Sequence, residues 1–152
     1  VKEKLNFKKI SQHDTPQQSP GFLLWHVSTS WRRSIEAVLK SLDLTHPQFV
    51  VLATLGWLTQ DGTLVTQREV GVLAGLDPNT MSQIIQGLEN KQLIKRVSSS
   101  DARAKHPQLT LQGSKLLTQA LPLVEDKDHQ FFNKLSSKEL ETLILIFQKI
   151  YT

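Results

Sequence analysis

The sequence predicts a mostly helical α+β fold, with long helices towards both ends of the chain and two short helices plus one hairpin between them. Three observations carry that expectation. Apolar residues recur at steps of three and four in residues 21–42 and again in residues 112–150, the period of a helix buried on one face. Two Ser/Thr-x-x-Glu signatures, Thr66–Glu69 and Ser136–Glu139, mark helix starts where hydroxyl and carboxylate satisfy each other's orphan backbone donors. Between them, Gln92–Val97 and His106–Leu111 read as two strands around a polar tip.

The elements follow in order. Residues 1–19 are polar and close on Thr15-Pro-Gln-Gln-Ser-Pro20, which predicts an N-terminal arm. From Gly21 to about Ser41, Leu24, Val27, Trp31, Ile35, Val38 and Leu42 share one helical face. Leu44-Thr45-His46-Pro47 starts a second helix, with Thr45 or His46 at the cap and Pro47 in the tolerant first turn. Phe49, Val50, Leu52, Ala53, Leu55, Gly56 and Leu58 make it apolar nearly all round, as expected of a helix crossing the centre. Gln60-Asp-Gly-Thr63 is a turn, and Leu64-Val65 is a candidate for one further short strand.

After Thr66, a short helix is expected to pack through Val70, Leu73 and Ala74 until Gly75-Leu-Asp-Pro78 breaks it. Asn79 or Asp77 caps the next helix, whose Met81, Ile84, Ile85 and Leu88 point inward. A long helix from about Gln112 to Lys134 carries Leu116, Leu117, Ala120, Leu121, Val124, Phe131 and Phe132, with Pro122 expected to bend it. The last helix places Leu140, Leu143, Ile144, Phe147 and Ile150 on one face.

A chain of 152 residues buries a sizeable core without covalent staples, and with no cysteine it forms no disulfide and no thiolate metal site. No apolar run reaches the roughly 20 residues of a membrane span, and Val1–Phe7 has neither the apolar core nor the cleavage site of a secretory signal. The expected compartment is the cytoplasm. The net charge of +4 is spread thinly: +2 over residues 1–20, +1 over 21–60, +1 over 61–110 and 0 over 111–152. Such a balance permits nucleic-acid binding without arguing for it.

Arrangement argues more strongly. Two short helices joined by a Gly-containing turn form a helix-turn-helix, and the hairpin directly after them makes it winged. The helix at 79–90 leaves Asn79, Thr80, Ser82, Gln83, Gln86 and Asn90 outward. These amides and hydroxyls suit base edges and phosphates in a major groove better than the mixed charges of a solvated face do. At the hairpin tip, Arg103 is expected to enter a minor groove, with Lys95 and Lys105 on phosphates. Asp101 is a poor DNA contact, so its expected task, with Arg96, is to brace the wing.

Arg96, Asp101-Ala-Arg-Ala-Lys105, Leu109-Thr110 and Gly113 together resemble the wing signature of the MarR family of bacterial transcriptional regulators. Leu42–Leu52, Leu88–Arg96 and Leu135–Leu140 extend the resemblance in order over roughly residues 21–150. The resemblance implies a homodimer on a pseudo-palindromic operator, acting most often as a repressor near the nucleoid. Residues 20–45 and 112–152 would then form a helical dimerisation region and 46–111 the DNA-reading head. Trp25, Phe131, Phe132, Phe147 and Tyr151 are candidate interface members. It further implies release by a small aromatic or anionic effector in a crevice between these regions, for which Trp25, His26 and Thr29 are the candidate lining residues. The family's pattern has Gly where this chain has Gln92, so a left-handed helix end here would cost about 1 kcal/mol.

Other chemistry finds little support. His13, His26, His46, His106 and His129 have no ligand spacing, and no nucleophile elbow, phosphate-binding Gly-rich loop or His-Glu-x-x-His helix is present. Neither a catalytic residue nor a cofactor nor a metal is therefore expected. Two rival readings stay open from the sequence: a winged-helix protein-interaction module, and a small-molecule-binding dimer, each without DNA binding.

Overall fold

The computed structural model describes residues 4–99 and 105–151. Its elements run α1 (Phe7–Ile10), a 3₁₀ turn (Pro16–Gln18), α2 (Pro20–Lys40), α3 (His46–Thr59), α4 (Gln67–Ala74), α5 (Pro78–Asn90), β1 (Ile94–Ser98), β2 (Lys105–Leu109), α6 (Leu111–Phe131) and α7 (Ser137–Tyr151). The fold is the mostly helical winged helix-turn-helix that the sequence predicts. The arm is more structured than its composition suggests, because the Gln18 side chain accepts from the N–H groups of Asp14 and Thr15 around the 3₁₀ turn.

The apolar α3 is the axle. It touches α2, α4, α5, α6 and β2, and buries Phe49, Val51, Leu52 and Leu55. Around it gather Ile35 and Leu39 of α2, Val70 of α4, Met81, Ile85 and Leu88 of α5, and Ala120 and Val124 of α6. Its start is set by Thr45, which forms a capping box with Gln48 ahead of Pro47. The boxes expected at Thr66 and Ser136 are both formed.

Three helices end alike. At the ends of α2, α4 and α5, a left-handed residue (Asp43 at φ 53°, Gly75 at 68°, Gln92 at 58°) precedes a leucine that turns back towards the core. The N–H groups of Leu44, Leu76 and Leu93 bond the carbonyls of Leu39, Gly71 and Leu88 at 3.2, 2.9 and 2.9 Å. This is the Schellman arrangement, which closes orphan carbonyls with a returning apolar residue. The left-handed Gln92 anticipated from the sequence is thus present. Gln92→Gly should raise stability by about 0.5–1 kcal/mol in urea denaturation; an unchanged or lower midpoint would show that the Gln92 side chain contributes something the backbone argument omits.

Several sequence expectations need correction. Leu64-Val65 adds no strand: Val65 is buried, but its carbonyl lies 2.9 Å from Nδ1 of His106, so a side chain takes the place of a ladder bond. Leu73 is largely exposed, because α4 turns Val70 and Gly71 inward instead. The strands begin and end one or two residues from their expected limits, since Gln92 is spent on the turn and Thr110 on capping α6. Leu24 and Val27 lie on the exposed half of α2. As expected, Pro122 lies inside helix α6, where its missing N–H leaves the Thr118 carbonyl without its usual donor.

Among the described residues, one core side chain is polar. His46 is 7% exposed, edge-on to Trp31 with ring centroids 5.1 Å apart, and Trp31 donates its indole N–H to Asp128 at 2.6 Å. Burial, then the Arg32 charge, holds the His46 pKa below its ordinary 6.5, against smaller opposite pulls from Glu36 and Asp128. The unfolded chain therefore takes up a proton first as pH falls, so the contribution of neutral His46 is lost from about pH 6.5 downward. Stability should drop between pH 7.5 and 5.5, and His46→Phe should flatten that slope; an equal slope in both proteins would remove His46 as its source.

Candidate nucleic-acid interface

The reading elements are fixed at their starts. Thr66 and Glu69 exchange bonds of 2.7–3.2 Å at the head of α4, and these bonds hold the Glu69 carboxyl below its usual range. Asp77, not Asn79, caps α5: one carboxylate oxygen accepts from the N–H groups of Asn79 and Thr80, each at 3.0 Å, and the other from the Thr80 hydroxyl. The Thr80 hydroxyl bond, first, keeps Asp77 ionised to lower pH than an ordinary aspartate. Pro78 follows at the first helical position, where its missing N–H is harmless.

With the start fixed, the faces of α5 divide as expected. Met81, Ile85 and Leu88 are buried and Ile84 is half-buried, while Asn79, Ser82, Gln83, Gln86 and Asn90 are exposed. Thr80 is half-buried and its hydroxyl is committed to Asp77. Gln86 donates to Asn90 at 3.1 Å, and Ser82 accepts from Gln67 of α4 at 2.9 Å. Asn79 and Gln83 therefore present their amides with the fewest prior commitments.

The wing is a two-stranded antiparallel ribbon in which Ile94 pairs with Leu109 and Ser98 with Lys105. Paired residues share a face. Lys105 thus lies on the face of Ile94, Arg96 and Ser98, whereas Lys95 lies opposite with Val97, His106 and Gln108. Both lysines are exposed, but they leave the ribbon in different directions. Arg96 pairs with Glu89 of α5 at 2.9 Å, which ties the wing to the outward helix. Asp101 and Arg103 lie outside the described residues.

The base of the wing is bolted to α5 and α6 at one point. Thr110 donates its N–H to the Leu93 carbonyl at 3.0 Å and its hydroxyl to the Gln92 carbonyl at 2.6 Å, while the same hydroxyl caps α6 by accepting from Gly113. Gly113 itself sits so close that a Cβ there would stand 2.0 Å from the Leu93 oxygen. At the other end, Lys91 bonds the Asp43 carbonyl and pairs with its carboxylate at 3.1 Å, joining the ends of α5 and α2. Sequence reasoning missed Gln67, the exposed Arg68, Lys91 and His106. Nothing in local periodicity distinguishes them, since their partners are 15 to 48 residues away wherever a bond is seen.

The effector candidates sit on α2. Trp25 is 67% exposed, His26 is exposed with its ring 4.4 Å from that of Phe22, and Thr29 is half-buried. Near them in sequence, Phe22, Leu23, Leu24 and Val27 are also exposed, and α7 carries no buried residue at all. Among the described residues, no helix is long and apolar enough to cross a membrane.

Residues 42–104 match the sequence profile of the MarR family. The uncharacterized HTH-type transcriptional regulator YdcH of Bacillus subtilis strain 168 is 36% identical over 130 residues, covering 85% of this chain and 88% of that protein. The chain belongs to the MarR family of transcriptional regulators. Solved structures agree in fold. CouR from Rhodococcus jostii RHA1, bound to p-coumaroyl-CoA, superposes with a TM-score of 0.80 at 24% identity, over 91% of this chain and 95% of that one. The Mycobacterium tuberculosis MarR family protein Rv2887, in complex with DNA, gives 0.68 at 23% identity, over 88% and 98%. The MarR resemblance read from the wing thus extends through the flanking helices of the same chain.

Proposed function

We propose that this MarR-family protein is a homodimeric repressor that binds a pseudo-palindromic operator and acts by binding, not catalysis, in the bacterial cytoplasm at the nucleoid. Residues 46–111 would be the reading head, residues 20–45 and 112–152 the dimerisation region, and residues 1–19 an accessory arm. One observation carries the reading: an exposed amide-and-hydroxyl face on a capped helix whose wing is braced to it by Arg96 and Glu89. A protein-only module has no reason to keep that face free of Lys–Glu pairs. The exposed apolar surfaces of α2 and α7 support a second copy of the chain as the partner that covers them.

Asn79, Thr80, Ser82, Gln83 and Gln86 would meet the major groove, Arg103 the minor groove, and Lys95 and Lys105 phosphates on either side of the wing. Release would follow binding of a small aromatic or anionic molecule against Trp25, His26 and Thr29, where an open aromatic face of α2 would be closed by the second protomer. CouR and Rv2887, bound respectively to p-coumaroyl-CoA and DNA, support both halves of this reading as analogies of fold. Arg103→Ala should weaken operator binding by about 1–3 kcal/mol and flatten its salt dependence. Unchanged affinity across a salt titration would take the wing out of the interface.

A further inference from the structure

The two hydroxyls of α5 are not equivalent. A hydroxyl has one proton to give and two lone pairs to offer. Thr80 spends its proton on the Asp77 carboxylate, which only accepts, so its outward capacity is that of an acceptor. Ser82 is in the opposite state: the Gln67 amide donates to its oxygen at 2.9 Å, which fills a lone pair and leaves its proton free to point away from α4. Both ends of this bond stand on rigid backbone. Gln67 is the first residue of α4, directly after the Thr66 cap, and Ser82 follows the buried Met81. The helices are close here, because a Cβ on Gly71 would meet Met81 at 3.4 Å.

We propose that Gln67 is a specificity-determining residue that acts through Ser82, holding its hydroxyl as an outward donor towards an acceptor on the DNA. In the major groove the complementary edges are those of guanine N7 and O6, adenine N7 and thymine O4. Gln67 thus belongs to the reading apparatus although it lies on the other helix of the pair. The inference rests on the assignment of α5 to the major groove, and it makes a claim that assignment does not: the polarity of one contact is set from α4.

The test is selection of binding sites from randomised duplexes by the full-length protein and its Ser82→Ala, Gln67→Ala, Gln67→Glu and Gln67→Ala/Ser82→Ala variants, with melting temperatures alongside. Ser82→Ala should lose preference at one position of each half-site by about fivefold, the worth of one hydrogen bond. Gln67→Ala should lose preference at that same position, with its melting temperature unchanged, and the double variant should be no worse than Ser82→Ala. Gln67→Glu should shift that position instead, towards the amino edges of adenine or cytosine, because a carboxylate only accepts and draws the Ser82 proton inward. Wild-type preference retained in Gln67→Ala, or an additive double variant, would overturn the proposal while leaving the DNA-reading assignment intact. No enriched sequence for the wild type would overturn both.

Discussion

Gly113→Val should leave the chain unfolded, or folded with a stability loss of about 4 kcal/mol or more, at the high end of what single substitutions do. The reason is geometric. A Cβ at 2.0 Å from the Leu93 carbonyl oxygen cannot be accommodated by a side-chain rotation, because the neighbour is backbone. That carbonyl accepts the Thr110 N–H, and Thr110 in turn caps α6 and holds the Gln92 carbonyl. Moving Leu93 away would therefore undo the wing base, the start of α6 and the left-handed end of α5 together. Urea denaturation and far-UV circular dichroism measure the effect. Gly113→Ala should already show most of it, and a variant as stable as wild type would mean that the α6 start and the wing base are not in contact.

The second large effect is on assembly. Phe147→Glu/Ile150→Glu should produce a folded monomer whose affinity for a two-half-site operator falls by about 10²–10⁴-fold, the advantage of binding two linked sites. Folding should survive because α7 has no fully buried residue within its own chain, and Phe147 and Ile150 are 45% and 77% exposed. Association should not survive, since two carboxylates would have to be buried against the apolar face of a partner. Sedimentation velocity and operator titration read the two consequences separately. A variant that still sediments as a dimer would move the interface away from α7, and a monomer with undiminished affinity would dissociate dimerisation from DNA binding.

Much of the fold is written locally. The boxes at Thr66 and Ser136, the break at Gly75 and the inward set Met81, Ile85 and Leu88 are decided within a few residues, and each is where the sequence places it. Gln92 is legible for a different reason. A departure from a family pattern exposes a left-handed position that propensity alone would assign to helix or strand. What escaped is what depends on distant partners. The His106 ring replaces the expected third strand by bonding the Val65 carbonyl, and nothing near either residue announces it. Leu24, Val27 and Leu73 carry the right period, yet they lie exposed, because periodicity gives a face and not what covers it.

The interface divides in the same way. The outward residues of α5 follow from helical phase once the inward ones are known, so Asn79, Ser82, Gln83 and Gln86 were readable. The intramolecular commitments of Thr80 to Asp77 and Ser82 to Gln67 were not, and they decide which groups give protons and which take them. The opposite directions of Lys95 and Lys105 required the register of the ribbon.

In the proposed dimer, two such heads read DNA at a fixed spacing. The most direct test measures affinity for a series of duplexes in which the distance between two selected half-sites is varied one base pair at a time. A two-fold reader predicts tightest binding with half-site centres about one helical turn, roughly 34 Å, apart, and a sharp loss half a turn either side. Affinity independent of spacing would contradict it.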